Sequence, residues 1–528
     1  MSNVLLIGNG GREHAILDKL VLSKQVEKVF VCNNTYWDNP YIKLPEYSKV
    51  TNHILEDVSI ESYINFSKEY DVKLVVVGPE KYLVEGIVDK FNKENILCFG
   101  PTKSMAKIES SKSYGKEIMN KLELPTAEFN IFTNKDKAKE FLGKNMENGF
   151  LVIKKDGLAG GKGVLVLKEQ NNVSCSKGIK YIDEIYEEDI NAKILIEKKV
   201  SKVEVSVLAF CNGKKTYLMP PARDFKRIYD GDRGPNTGGM GAICPGDLLN
   251  DIQMQQIQVY MDKVVLELGY KGVLYAGLMV QYNNHNDVLR NYSINFLEFN
   301  CRFGDPETQS ILPLLSDSTD LYEIMCRCVR GDSLDGIICW KKNMKSINVV
   351  LSHIEYPYKK LENAFSISFN HNLTKSLVYR RSSHRLNVAN IFYNNGGYQT
   401  TGGRVLSVIV CGDDFTRCFR EVYSLCKRII YKDMYYRMDI GSQYIVGENV
   451  DKRYNHWENY QIMNIPTIAI FQNEKGSIDD IKSLVLLWNT HCKQRKKGLA
   501  KIGLLVCNKK DYELMELSDL YSIPLLCI

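Results

Sequence analysis

The stretch from Asn295 to Gln309 reads NFLEFNCRFGDPETQ, and along a strand its side chains alternate between two faces. Leu297, Phe299 and Cys301 then point one way, while Glu298, Asn300 and Arg302 point the other. A carboxylate and an amide oxygen two residues apart offer two hard oxygen donors on one face, which suits Mg²⁺ shared with nucleotide phosphates. Arg302 adds a planar guanidinium able to fork a carboxylate or a developing acyl phosphate. The alternative, a Glu298–Arg302 salt bridge along the strand, leaves the polar run GDPET, with Asp305, unexplained.

Three other blocks carry groups of the same kind. KKDGLAGGKGV sets Gly157, Gly160, Gly161 and Gly163 around Lys162, after Lys154 at a strand end. It lacks the Ser or Thr that a P-loop needs after its lysine, but backbone amides and lysine point charges still suit phosphate. A solvated hairpin is the competing reading. ILIEKKVSKVEVS places Glu197 and Glu204 seven residues apart on an apolar strand, where a carboxylate can hold ribose hydroxyls beside an adenine; ordinary surface charge is the alternative. DFKRIYDGDRGPNTGGMGA carries five glycines between Gly231 and Gly241, with Asp232 and Asn236 as acceptors, so its backbone can approach a ligand closely, unless it is simply a flexible loop.

These groups need elements to hold them. Apolar runs VLLI (4–7), KVFVC (28–32), KLVVV (73–77) and ILCF (96–99) alternate with helical patterns, the signature of a parallel sheet flanked by helices. After the first run, GNGGREHAI lets Gly8, Gly10 and Gly11 turn tightly and offer amides to an anion at a helix N-terminus; a plain turn is the alternative, and no G-x-G-x-x-G supports a dinucleotide site. A helical pattern from about 103 stops at Pro125. Residues 149–168 read as strand, glycine-rich turn, strand, and 194–210 as a second such unit. Residues 217–246 are loop-like, 272–316 return to strands before a helix, and 346–443 form a further mixed block.

The chain has 528 residues, 44% of them hydrophobic and 25% charged, enough for three or four domains. A formal charge of +6 is small for this length and gives no sign of nucleic-acid binding. No run approaches a membrane span, and the N-terminus lacks a charged leader. Fifteen scattered cysteines without CxxC spacing fit a reducing compartment, so the expected location is cytoplasmic.

Taken in order, LLIGNGGREHAI, VVGPEKYLVEGIVD, CFGPTKSMAKIESSK, VIKKDGLAGGKGV, DGDRGPNTGGMGA, GVLYAGLMV and FLEFNCRFGDPETQ resemble the glycinamide ribonucleotide synthetases (phosphoribosylamine–glycine ligases) of the ATP-grasp superfamily. These motifs span residues 1–316, and TTGGRVLSVIV and YYRMDIG carry the likeness to about 443. GPNTGGMGA and EFNCRFGDPE are the most specific, since other ATP-grasp enzymes with E-x-N-x-R lack the former. The resemblance implies an α/β chain: a parallel-sheet N-terminal domain (1–103), ATP-grasp domains (104–328, with a mobile lid at about 126–195), a small mixed C-terminal domain (329–443) and an extra α/β tail (444–528).

It also implies an ATP-dependent carbon–nitrogen ligase with Mg²⁺ or Mn²⁺, joining glycine to 5-phosphoribosylamine through glycyl phosphate in purine biosynthesis. Residue by residue, Lys112 and Lys154 match phosphate-binding lysines, and Gly160, Gly161 and Lys162 a mobile loop. Glu197, Lys198, Val200 and Glu204 match the adenosine site, and Glu298 and Asn300 the metal ligands. Arg302, with Lys154 and Asp232, is assigned to catalysis. Gly10, Gly11, Arg12, Asn236, Thr237, Gly238, Gly239 and Asp305 are assigned to the substrates. Departures are VCNNTYWDNPYI in place of a small glycine-bearing loop, Phe225 for a usual His and Lys155 for a usual Ala.

Residues 444–528 read as strand, loop, helix, strand, helix, strand, and faintly resemble the first third of a glycinamide ribonucleotide transformylase. They end before that enzyme's catalytic residues, so no transformylase activity is expected; contacts with other purine-route enzymes are the expected use of the tail. The competing functions are another ATP-grasp carboxylate–amine ligase and a catalytically dead nucleotide-binding scaffold.

Overall fold

The computed structural model describes residues 1–33, 47–158, 163–167, 169–200, 203–246, 248–280, 294–359, 361, 363–369, 383–394, 396–444, 467–471, 501–507 and 525–527. Gly160, Gly161, Lys162 and the segment 34–46 lie outside this set.

The first sheet is wholly parallel, in the order Val50–Ile54, Val26–Asn33, Ser2–Ile7, Val72–Val77, Leu97–Phe99. Chain order reverses beside Ser2–Ile7, and in such sheets the crevice at the carboxyl ends of the strands flanking that point is where ligands sit. GNGG leaves Ser2–Ile7 there, and GPE leaves Val72–Val77, with Gly78 N bonded to Ile7 O at 3.1 Å. The edge strand Val50–Ile54 was not expected. VTNHI is polar, because an edge strand has only one neighbour to pack against.

The helical pattern after residue 103 is two helices, Lys103–Ser110 and Lys112–Lys121, rather than one ending at Pro125. Ser111 leaves the helical region (φ −133°, ψ 108°) and its side chain accepts from Tyr114 N, so it stops one helix and caps the next. The second helix ends at Leu122, before Glu123 with φ +56°.

Phe150–Lys155 and Val164–Val166 pair antiparallel as expected, in a sheet with Phe129–Phe132 and Ile194–Lys198. Helices Lys135–Asn145 and Asn172–Glu188 close this unit over its own core of Leu142, Ile153, Ile182, Ile194 and Ile196. Residues 194–210 are not a hairpin. Ile194–Lys198 stays in this sheet, whereas Val203–Asn212 pairs with Lys271–Val280 in a second one, ordered Thr216–Leu218, Val203–Asn212, Lys271–Val280, Ile294–Asn300. Nor is 217–246 a plain loop. Arg223–Asp224 and Gly241–Cys244 extend the C-terminal sheet through Lys345–His353, Arg404–Gly412 and His384–Val388, while Arg227–Tyr229 and Arg233–Asn236 form a hairpin turning at DGD. In the tail, Thr467–Phe471, Lys501–Cys507 and Leu525–Cys527 pair in parallel. Among the described residues no helix is long and apolar enough to cross a membrane.

The N-terminal helix Gly11–Leu20 is locked to the C-terminal strand His384–Val388 by buried polar groups. Val388 N donates to His14 Nδ1 at 2.9 Å, which puts the imidazole proton on Nε2, 3.5 Å from Asp18. Burial lowers the pKa of His14, keeping the ring neutral. Asp18 also accepts from Asn387 Nδ2 at 2.9 Å and from Tyr47 Oη. Removing the carboxylate takes away the acceptor of Asn387 Nδ2 and of Tyr47 Oη in a buried site. Asp18→Ala is therefore expected to cost about 3 kcal/mol, read as a lower thermal or urea midpoint, while Lys24→Ala on the exposed surface shifts it by less than about 0.5 kcal/mol.

Candidate functional site

Ile294–Asn300 pairs with Lys271–Val280, but the register slips: Glu298 faces Gly277 and Phe296 faces Leu278, so Leu297 is an extra residue in a β-bulge. The simple alternation expected for this strand is corrected accordingly. Phe296, Phe299 and Cys301 fill the core, with Phe296 and Phe299 ring centroids 5.5 Å apart, and Leu297 is only half-buried. Glu298 and Asn300 still share the opposite face. Gly277 opposite makes room, because a Cβ there would lie 3.3 Å from Glu298 Cγ.

Glu298 makes no ion pair within 4 Å among the described residues, yet cations from four segments surround it. Burial would raise its pKa, but Lys226, Lys154, Lys112 and Arg302 outweigh burial and hold it below the usual carboxylate range. The Glu298 carboxylate thus stays ionised, beside the neutral amide of Asn300 on the same face. No group of three His, Cys, Asp or Glu among the described residues could hold a metal alone. Two protein oxygens completed by phosphates and water form the kind of donor set that Mg²⁺ accepts.

The lysines are buttressed from behind. Glu197, 1% exposed, bridges Lys154 Nζ through Oε1 and Lys116 Nζ through Oε2 (2.8 Å). Burial works against its charge, but Lys154 and Lys116 prevail and its pKa is depressed. Lys116 also bonds Thr126 Oγ1 at 2.6 Å, and Thr126 bonds Phe296 O at 2.7 Å, tying this cluster to the bulged strand. Lys112, the first residue of its helix, donates to Gly157 O, and Asp156 accepts from Ser111 Oγ (3.0 Å) and Gly157 N (3.1 Å). The start of the glycine-rich turn is fixed in this way. Lys198 pairs with Glu128, and Glu204 pairs with Lys226; Val200 follows the strand Ile194–Lys198.

Arg302 does not pair with Glu298. Its guanidinium reaches Glu80 (3.3 Å) and Glu109 (3.1 Å), and Glu109 also accepts from Cys301 N at 2.7 Å. Burial disfavours its charge, but Glu109 and Glu80 more than restore it, so its pKa is raised.

Of the residues assigned to the substrates, Asp305, Gly10 and Gly238 lie near one another. Arg404 donates to Asp305 Oδ2 and to Gly238 O (3.0 and 2.7 Å), and Gln309 donates to Asp305 Oδ1 (2.7 Å). A Cβ on Gly10 would lie 3.9 Å from Asp305 Oδ2, and one on Gly11 2.7 Å from Gln309 Nε2. Thr237 bonds Lys226 O through both N (2.7 Å) and Oγ1 (2.8 Å), and Gly238 N donates to Tyr356 Oη at 2.9 Å, so the PNTGG segment is clamped rather than loose. Asn236 is exposed at its edge.

The anion that takes the Gly10 amide is Glu13, at 2.8 Å, and Glu13 also holds Arg12 Nε at 2.7 Å. Its side chain fills the space beside Gly8 and Gly78, where added Cβ atoms would lie 2.9 and 1.8 Å from it. Asp232, assigned to catalysis, pairs with Arg437 (2.7 Å) and Arg223 (3.7 Å). Phe225 is flanked by the same two guanidinium groups, each 5.0 Å from the ring centroid. Sequence reasoning gave no role to Glu13, Glu80, Glu109, Lys116, Lys226, Asp224, Glu307 or Arg404. Glu80 and Glu109 lie inside VVGPEKYLVEGIVD and CFGPTKSMAKIESSK, where nothing local distinguishes them from surface acids.

The chain matches the families described as Phosphoribosylglycinamide synthetase, N domain (residues 2–109), ATP-grasp (A) domain (110–308) and C domain (346–443). It is 34% identical over 470 residues to the bifunctional purine biosynthetic protein purD of Dictyostelium discoideum, covering 84% of this chain and 55% of that one. It is also 34% identical over 449 residues to a phosphoribosylamine–glycine ligase of Caldanaerobacter subterraneus, covering 84% of this chain and 100% of that one. The chain thus spans about half or less of the multifunctional relatives it matches, 42% in the case of the human trifunctional protein adenosine-3. Among solved structures, the phosphoribosylamine–glycine ligase of Thermotoga maritima superposes with a TM-score of 0.64 at 28% identity, covering 83% of this chain and 100% of that one. A biotin carboxylase of Campylobacter jejuni, solved with an ATP analogue, shares the fold at 14% identity and a TM-score of 0.61, covering 86% of this chain and 98% of that one.

The Glu197 buttress gives a test with a defined sign. Its folded pKa is depressed, so its contribution is present above the unfolded value of about 4.3 and lost as pH falls through the folded one. Glu197→Gln leaves two lysines underpaired and is expected to cost about 3 kcal/mol at pH 7, with a flatter acid limb below about pH 4 in a plot of unfolding midpoint against pH.

Proposed function

The chain belongs to the phosphoribosylglycinamide synthetase family, and from that premise we infer that it joins glycine to 5-phosphoribosylamine at the expense of ATP, forming glycinamide ribonucleotide, ADP and phosphate. The observation that carries this reading is the convergence of Lys112, Lys154, Lys226 and Arg302 on Glu298. A carboxylate attacking a triphosphate brings two anions together, and at 4 Å one pair of unit charges repels by about 4 kcal/mol at an effective dielectric of 20. A ring of cations offsets that repulsion without any nucleophilic side chain, because catalysis is then positioning and electrostatics.

In this reading Lys112 and Lys154 hold the β- and γ-phosphates, with Gly160, Gly161 and Lys162 over them. Glu197, pinned between two lysines, positions Lys154. The adenosine lies along Lys198, Val200 and Glu204. Glu298 and Asn300 hold Mg²⁺ or Mn²⁺, which when bound neutralises phosphate charge. Arg302, steadied by Glu80 and Glu109, faces the glycine carboxylate as its oxygen attacks the γ-phosphorus, ADP leaves and glycyl phosphate forms. The amine of phosphoribosylamine then attacks the acyl carbon and releases phosphate. Its sugar phosphate rests near Gly10, Gly11 and Arg12, with Asp305, Asn236, Thr237, Gly238 and Gly239 over the substrate. Asp232, bonded to Arg437, supports the hairpin that carries Asn236. Residues 444–528 serve contacts with other enzymes of the same route in this reading, which the multifunctional chains among the relatives support.

Glu298→Gln is expected to keep the thermal midpoint and lower glycine-dependent ADP release on the order of 10² to 10³-fold. Turnover that is unchanged at low Mg²⁺ contradicts the metal role. Omitting each substrate in turn separates the readings: release without glycine points to another carboxylate substrate, and no release with all three present points to a nucleotide-binding scaffold.

A further inference from the structure

The C-terminal stretch YYRMDIG has no part in the chemistry above, yet it grips the hairpin that leads into the PNTGG segment. Its arginine, Arg437, is 0% exposed, so the guanidinium cannot touch a substrate. Nε and Nη2 donate to the two oxygens of Asp439 in the same stretch, at 2.8 and 2.7 Å. Nη1 reaches across to the hairpin and donates to Asp232 Oδ1 (2.7 Å) and Arg227 O (3.0 Å). Three further bonds join the same two pieces of chain: Tyr435 Oη to Ile228 O (2.9 Å), Met438 N to Asp230 Oδ1 (2.9 Å) and Gly231 N to Asp439 Oδ2 (2.8 Å).

The grip is passed on to the site through two neighbours of these contacts. Arg227 pairs with Asn236 across the hairpin, and Lys226 O holds Thr237 through both N (2.7 Å) and Oγ1 (2.8 Å). Lys226 lies between the two residues that Arg437 touches, the Phe225 ring, 5.0 Å from the guanidinium, and Arg227 O, and its charge acts on Glu298. A buried ion pair adds little stability compared with apolar packing of the same volume, so stability alone does not account for this one. What it does fix is geometry: a planar fork sets two groups at defined angles, where a lysine would supply only a point charge.

We propose that Arg437 is a positioning residue of the ligase reaction, which sets Lys226 and residues 236–239 in place before the substrates arrive. This assignment rests on the ligase reading, in which those residues lie over the substrate, and it gives the C-terminal stretch a part in the rate. Held from one end by Arg437 and from the other by Arg404 and Tyr356 on Gly238, the covering segment has little reorganisation left to make during the reaction. The adenosine-assigned Lys198 and Val200 lie outside the hairpin and its grip. Arg437 therefore acts on kcat rather than on the affinity for ATP.

Arg437→Lys in the full chain keeps a cation between Asp439 and Asp232 and removes the fork. Assayed below its own unfolding midpoint, it is expected to lower kcat for glycine-dependent ADP release on the order of 10²-fold, the cost of a misplacement of about 1 Å, while the KM for ATP stays within about twofold. Hydrogen exchange read by mass spectrometry should be faster in residues 228–239 of the ligand-free variant and unchanged in 294–300. Asp232→Asn, at a side chain 50% exposed, removes one of the same contacts with little risk to the fold, and it decides alone if Arg437→Lys does not fold. It is expected to lower kcat less than Arg437→Lys and to add nothing in the double variant, since the two groups act as a unit. A wild-type kcat per folded molecule with only a lower midpoint, unchanged exchange in 228–239, or additive losses in the double variant overturns the assignment and leaves the ligase standing. ADP release by the unaltered chain that does not require glycine overturns the ligase reading, and this assignment with it.

Discussion

In the proposed reaction a carboxylate meets a triphosphate, an encounter of anions, and four cations of this chain act on the one carboxylate, Glu298, assigned to the metal there. Lys112 comes from a helix N-terminus, Lys154 from the sheet Phe129–Phe132 to Val164–Val166, Lys226 from beside the hairpin, and Arg302 from the end of the bulged strand. No single element could supply all four within reach of Glu298.

Cations gathered in a poorly solvated crevice would repel one another, and the chain answers with acids placed behind them. Glu197 backs Lys154 and Lys116, Glu80 and Glu109 back Arg302, Glu204 backs Lys226, and Asp305 backs Arg404. Buried pairs of this kind add little net stability compared with an apolar core, but breaking one is expensive. Their worth is preorganisation: each cation is held in place before substrate arrives, so little reorganisation is needed during the reaction. Glu13 does the same for Arg12 and the GNGG turn.

Much of this was legible in the sequence, and the failures have physical causes. The parallel sheet was visible because its strands are buried on both faces and read as continuous apolar runs, except for the one-sided edge strand VTNHI. The bulge at Leu297 was invisible, since alternation assumes unbroken register and nothing local announces an inserted residue. The sheet switch between Ile194–Lys198 and Val203–Asn212 depends on partners distant in the chain, as does the recruitment of Arg223–Asp224 and Gly241–Cys244 into the C-terminal sheet. Residues of direct chemical type, such as Glu298, Asn300 and Lys154, stood out by kind and spacing. The supporting acids did not, because a glutamate that orients a lysine looks like any other glutamate until the fold brings the two together. Asp232, a conspicuous acid in a glycine-rich motif, is engaged by Arg437 and Arg223, partners that lie far from it in the chain or outside the motif's own glycines.

The central claim is that the cation ring serves the attack of a glycine carboxylate oxygen on the γ-phosphorus. The most direct measurement follows that oxygen. With glycine carrying ¹⁸O in its carboxylate, a turnover through glycyl phosphate transfers one labelled oxygen to the inorganic phosphate that is released, and mass spectrometry of that phosphate is expected to find it. Phosphate released without label during glycine-dependent turnover would contradict the account.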